Sequence, residues 1–157
     1  MVMEFNEKHI DEVAQIIHDC YLEQPYRYDW KIYNIKSYIN RRLKTGWKIN
    51  LLVKDDVVNG VIIYRDNDIF DISELKKDKD FLSEKLNNVG YSYVQDLCIS
   101  KKFQRSGAGK ALLDSIKGSI LLFTLKKSPA VDFYRHLKYK EFDSPNVKNR
   151  VYFLKNT

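Results

Sequence analysis

Between two apolar patterns lies the stretch Gln104-Arg105-Ser106-Gly107-Ala108-Gly109-Lys110, which combines glycines with cationic side chains. Ahead of it, Tyr91 to Ile99 reads as a strand; behind it, Ala111, Leu112, Leu113 and Ile116 recur at helical spacing. A turn of this kind can aim several backbone N–H groups and the positive end of a helix at one phosphate. Arg105 and Lys110 would strengthen that binding. The plainer reading is an ordinary turn whose glycines supply backbone freedom, with Lys110 a solvated helix charge.

Two familiar phosphate loops do not match. A Walker loop needs glycine where Gln104 stands and Ser or Thr where Ala111 stands. A dinucleotide fingerprint needs a third glycine at Leu112 and an early strand opening a βαβ unit.

The pattern that fits is Gln/Arg-x-x-Gly-x-Gly/Ala, read at Gln104, Gly107 and Gly109. Asp96-Leu97-Cys98-Ile99 precedes it and Ala130-x-x-Phe133-Tyr134 follows it. On these segments, spanning residues 91 to 139, the chain resembles the GNAT superfamily of acyl-CoA-dependent N-acyltransferases. The resemblance implies an α/β fold of α+β type, with a mixed, splayed central sheet flanked by helices. The two splayed strands would be Tyr91 to Ile99 and Ser119 to Leu125. Acetyl-CoA would be the co-substrate, gripped at its pyrophosphate by Gln104, Arg105, Ser106, Gly107, Ala108, Gly109 and Lys110.

Further roles follow from the same resemblance. Leu97, Cys98 and Ile99 would hold the pantetheine through backbone groups left unpaired by the splay and point an N–H at the acyl carbonyl, where it stabilises an oxyanion. The side chains of Leu97 and Ile99 can serve the core at the same time. Tyr134 stands where many family members have a tyrosine that protonates the departing thiolate; the alternative is a core aromatic beside Phe133 and Leu137. Lys127 departs from the asparagine that often contacts the cofactor in related sequences.

The attacking amine must be neutral, so a base is needed. Asp96 is the candidate, although polyamine-type relatives carry a Glu-Asp pair where this chain has Gln95-Asp96, and a structural acceptor role suits it as well. Strand alternation puts Asp96 on the face opposite Gln95, Leu97 and Ile99. Cys98 has no His or Asp partner in a nucleophile arrangement, so transfer is read as direct. Tyr26, Tyr28 and Trp30 would wall the acceptor pocket, while Tyr33, Tyr38 and Trp47 read as packing.

The elements that must position these groups are legible in outline. Apolar spacing predicts helices over Asn6 to Tyr21 and Ile32 to Leu43, the second ending at Gly46. Ile49 to Val53 and Val57 to Tyr64 form a predicted hairpin, after a short first strand at Val2 to Phe5. Residues 65 to 90 read as an exposed loop with a helix near Lys79 to Asn87. After the glycine loop come a helix to about Lys117, the strand Ser119 to Leu125, a helix Ala130 to Leu137 opened by Pro129, and strands Tyr139 to Phe142 and Arg150 to Leu154.

At 157 residues and 44% hydrophobic content the chain is read as one domain, 1–157. Runs such as Ile120 to Phe123 fall far short of the roughly 20 apolar residues that cross a bilayer, so no membrane partner is expected. The N-terminus has no apolar segment with a cleavage site, and Cys20 and Cys98 form neither a disulfide framework nor a metal spacing; the expectation is a cytoplasmic protein with no metal. The net charge of +6 suits an anionic cofactor or nucleic acid equally, but no nucleic-acid motif is present and that partner is disfavoured. A homodimer stays open. Two functions are carried forward: N-acetyl transfer from acetyl-CoA to a primary amine of an acceptor the sequence does not identify, and a non-catalytic acyl-CoA-binding regulatory module, motivated by Gln95 and Lys127.

Overall fold

The computed structural model describes residues 1–23, 25–66, 71–86 and 90–156. Seven strands follow the order β1-β2-β3-β4-β5-β7-β6. They are β1 (Val2–Glu4), β2 (Lys48–Lys54), β3 (Val57–Asp66), β4 (Tyr91–Ile99), β5 (Ser119–Leu125), β6 (Lys140–Asp143) and β7 (Arg150–Lys155). The helices are α1 (Ile10–Leu22), α2 (Ile32–Lys44), α3 (Lys79–Leu86), α4 (Ala108–Asp114) and α5 (Ala130–His136). Residues 1–64 with 95–116 form one compact unit, and 65–94 with 117–157 another.

In the first unit β1 and β3 pair antiparallel to β2, and the tight turn at Asp55 and Asp56 takes φ of 52° and 61°, the left-handed geometry that a two-residue hairpin favours. Val13, Ala14, Ile16 and Ile17 make the buried stripe of α1, and Ile35, Tyr38 and Ile39 that of α2. Asn6 starts the preceding 3-10 turn by accepting the Lys8 N–H at 3.0 Å. Gly60 in β3 allows a close approach: a Cβ there would fall 2.8 Å from Ile99 Cδ1, 3.0 Å from Leu112 Cδ1 and 3.3 Å from the Cys98 carbonyl. The end of β4 and Leu112 of α4 are packed against β3 through this gap.

In the second unit β5 pairs antiparallel with β7, and β7 with β6. The parallel ladder of β4 on β5 takes the first three residues of each strand, Tyr91 to Tyr93 against Ser119 to Leu121. Val151, Tyr152, Phe153 and Leu154 of β7 are buried on both faces.

The segment after β3 differs from the exposed loop its charge suggests. Ser73–Asp78 is a 3-10 helix leading into α3, and Ile72, Leu75, Leu82 and Leu86 are buried. Interspersed Asp and Lys conceal that apolar stripe in the sequence. Asn87, the expected end of the helix, lies outside the described residues. Asp78, at 0% exposure, accepts hydrogen bonds from Ser144 Oγ and Tyr152 Oη, both at 2.6 Å, with Arg150 Nη1 at 3.7 Å. Helix α4 stops at Asp114 rather than near Lys117, because Ser115 closes the last turn and Gly118 follows at φ 87°. Among the described residues no helix is long and apolar enough to cross a membrane.

Candidate functional site: a glycine turn and a tyrosine-clamped carboxylate

The glycine loop is built from the end of β4. Ser100 N–H bonds to the Asn59 carbonyl at 2.8 Å, which fixes the exit of the strand. A 3-10 turn, Lys101–Phe103, follows, and Gln104 Nε2 donates back to the Ile99 carbonyl at 3.3 Å. Ser106 Oγ donates to the Phe103 carbonyl. Arg105 and Gly107 both occupy the left-handed region, at φ 64° and 86°. Gly107 suits it without penalty, whereas Arg105 is a non-glycine residue in a sparsely populated region.

Gly107 is the N-cap of α4, and the Ala111 N–H bonding to the Gly107 carbonyl at 3.0 Å is the first helical bond. The N–H groups of Ala108, Gly109 and Lys110 therefore have no acceptor within the helix, as at any helix start. Gln104, Arg105, Ser106 and Gly107 are exposed and Ala108 is buried. Among the described residues the Arg105 side chain has no protein partner. Lys110 is paired with Asp114 at 2.6 Å, so its charge is already shared. An exposed turn of amide donors with one uncommitted guanidinium can bind a phosphate group.

Four residues before the end of β4 the alternation of the strand matters. Asp96 and Cys98 are buried, whereas Gln95, Leu97 and Ile99 are partly exposed. Asp96 is 3% exposed, and both carboxylate oxygens are occupied: Oδ1 accepts from Tyr21 Oη of α1 and Oδ2 from Tyr38 Oη of α2, each at 2.5 Å. Burial and then the Asp96 charge push both phenols well above their ordinary pKa, so they remain donors throughout the neutral range. The Cys98 thiol is also pushed well up, first by its hydrogen bond with Cys20 and then by burial, and does not have the low pKa of an activated nucleophile. Among the described residues, the buried Gln95 Oε1 has no hydrogen-bond partner.

The aromatic segment joins this carboxylate. Tyr26 meets the Tyr21 ring at 5.2 Å; Trp30 meets Tyr21 edge-on at 5.5 Å and Tyr38 at 5.0 Å. Tyr28 lies 6.4 Å from Trp30, and its N–H donates to the Tyr21 carbonyl at 2.7 Å. His18 Nδ1, 2.6 Å from the Trp30 carbonyl, ties the segment to α1. Tyr26 and Tyr28 are exposed and Trp30 is partly buried.

The sequence reading names Asp96 as the base and Tyr26, Tyr28 and Trp30 as the acceptor wall; in the structure Tyr26 and Trp30 meet Tyr21, a residue the reading leaves out whose hydroxyl donates to Asp96, and Tyr38, read as packing, is the second donor. A tyrosine on a buried helical stripe was the available signal, because a buried phenol needs a hydrogen-bond partner.

Tyr134 is part of the second unit. Ser128 caps the start of α5 by accepting the Ala130 N–H at 3.2 Å, and Tyr134 is buried among Phe133 at 5.0 Å, Tyr139 at 5.7 Å and Phe153 at 5.1 Å. Lys127 is exposed. Among the described residues, no group of three or more His, Cys, Asp or Glu is placed to hold a metal.

The profile of the acetyltransferase (GNAT) domain matches residues 51–155. An acetyltransferase of the GNAT family from Staphylococcus aureus superposes with a TM-score of 0.69 at 17% identity, covering 99% of this chain and 98% of that one. A ribosomal-protein-alanine N-acetyltransferase from Brucella melitensis gives 0.67 at 11% identity, covering 100% and 99%. A putative acetyltransferase from Salmonella typhimurium, solved with its cofactor acetyl-CoA, gives 0.67 at 11% identity, covering 99% and 92%. At such identities the likeness is one of fold. A comparison with curated proteins finds no match.

Proposed function

Because this chain belongs to the GNAT acetyltransferase domain family, we propose that it transfers the acetyl group of acetyl-CoA directly to a primary amine, as one cytoplasmic domain of residues 1–157. The observation that carries the reading is the Gln104–Lys110 turn. Its left-handed Gly107 frees amide donors at the start of α4, and Arg105 stands uncommitted beside them.

In this reading the amides of 105–110 hold the pyrophosphate, and the backbone of Leu97, Cys98 and Ile99 holds the pantetheine. Acetyl-CoA supplies the activated thioester. Amine attack on its carbonyl builds an oxyanion, which a strand N–H stabilises. Tyr134 supplies a proton to the thiolate, for which a phenol is the right acid at neutral pH. Asp96 is the terminal proton acceptor, and Tyr26, Tyr28 and Trp30 line the acceptor.

The test is thiol release from acetyl-CoA with a panel of primary amines, accompanied by mass detection of the acetylated product. Acetylation of an amine supports the reading. Binding of acetyl-CoA without turnover of any amine would favour a non-catalytic acyl-CoA-binding module, a second reading that draws on the full occupation of both Asp96 oxygens.

A further inference from the structure

Asp96 has no direct route to an incoming proton. Each oxygen is covered by a phenol and the residue is 3% exposed, so a proton reaches it through a tyrosine hydroxyl or by displacing one. The two tyrosines are not equivalent. Tyr38 is 8% exposed, with its ring held by Trp30 at 5.0 Å and by the Arg42 guanidinium at 4.8 Å. Tyr21 is only partly buried, and its ring and carbonyl meet Tyr26, Trp30 and the Tyr28 N–H. Both phenols therefore meet Trp30, and Tyr21 also meets the exposed Tyr26 and the Tyr28 N–H, which joins the carboxylate to the exposed end of the aromatic segment.

We propose that Tyr21 faces the acceptor ammonium and relays its proton to Asp96, while Tyr38 positions the carboxylate. The proposal rests on the acetyl-transfer reading above. One N–H bond of the ammonium breaks as its proton passes to Tyr21 Oη, and the Tyr21 O–H proton passes to Asp96 Oδ1. The freed nitrogen lone pair forms the C–N bond to the acetyl carbon, and the C–S bond breaks. The second proton leaving nitrogen balances the one taken up by the thiolate, and Asp96 releases its proton to water after the product departs.

Moving a proton from an ammonium to a buried carboxylate removes two charges from a poorly solvated place, which favours the step. The exposed rings of Tyr26 and Tyr28 are suited to hold the cation first. Among the described residues, the Cys20 thiol on α1 and the Cys98 thiol on β4 also face Asp96, and the Arg42 guanidinium on α2 faces Tyr38. The Arg42 guanidinium carries a permanent positive charge over the ring of Tyr38, the phenol that donates to Asp96 Oδ2.

The test compares wild type, Tyr21→Phe and Tyr38→Phe in acetyl-CoA titrations and in pH profiles of kcat/KM with putrescine, tyramine and an alanine-starting peptide. Tyr21→Phe should bind acetyl-CoA as wild type does and lose about 100-fold in kcat/KM at pH 7, the scale of one general base. Its rate should then climb about tenfold per pH unit as free amine replaces the relay, while Tyr38→Phe, which loses only the bond that positions the carboxylate, should lower kcat/KM by a smaller factor with the shape of its pH profile unaltered. If Tyr21→Phe does not fold, fluorotyrosine at position 21 should shift the acidic limb. A wild-type profile in Tyr21→Phe, or equal losses in both variants with no change of profile shape, would overturn the relay alone. Wild type that binds acetyl-CoA but acetylates none of the three probes would overturn the relay and leave the cofactor site standing. Failure to bind acetyl-CoA would overturn the acetyl-transfer reading itself.

Discussion

Replacing Tyr38 by Phe keeps the ring that packs on Trp30 at 5.0 Å and lies under Arg42 at 4.8 Å, and removes only the hydroxyl that donates to Asp96 Oδ2. The partner left behind is a carboxylate 3% exposed, where water cannot readily substitute. Losing a hydrogen bond to such a charged acceptor costs about 1.5–3 kcal/mol. With a urea m-value of about 2 kcal/mol per molar, the midpoint should fall by about 1 M with m unchanged. The two tryptophans, Trp30 and Trp47, both lie in the unit that holds Asp96, so their fluorescence reports the relevant transition. A second signature appears at high pH. The folded pKa of Tyr38 is raised above the unfolded value of about 10, so its contribution is complete below pH 10 and is lost as pH rises beyond it. Tyr21 behaves in the same way. Each should steepen the alkaline loss of stability by about 1.4 kcal/mol per pH unit, and Tyr38→Phe should remove one such share. A variant within about 0.5 kcal/mol of wild type at pH 7, with the same slope above pH 10, would refute the clamp.

Gly60→Ala should lower stability by about 1–3 kcal/mol in a thermal melt, because the new methyl meets Ile99, Leu112 and the Cys98 carbonyl. Burial pushes Asp78 up, but its bonds with Ser144, Tyr152 and Asn146 and the Arg150 charge outweigh that and leave it below the ordinary carboxylate value. Its contribution is therefore complete above the unfolded pKa of about 4 and is lost as pH falls below it; Asp78→Asn should flatten acid unfolding there, as followed by circular dichroism. Tyr134→Phe should reduce kcat by about 100-fold, with acetyl-CoA affinity unchanged in a binding titration.

Strands β4 and β5 were legible to the residue because each is a largely apolar run that follows a glycine, and the start of α5 because Pro129 precedes it. The glycine turn was legible because its backbone requirement, φ of 86° at Gly107, restricts residue type. The region around Leu75 and Leu82 was not, since Asp and Lys on the outer face dilute a short apolar stripe. The clamp was hidden for a different reason: Tyr21 and Asp96 are 75 positions apart, and Tyr38 and Asp96 58. Periodicity shows that a tyrosine lies on a buried face; it does not show which distant carboxylate receives its proton.

The most direct test of acetyl-CoA binding at the 104–110 turn is calorimetric titration with acetyl-CoA, on wild type and on the double variant Gly107→Trp, Gly109→Trp. Micromolar binding by wild type, about −8 kcal/mol, that disappears in a folded variant is the predicted result. Absence of binding to wild type, or equal affinity in the variant, would contradict it.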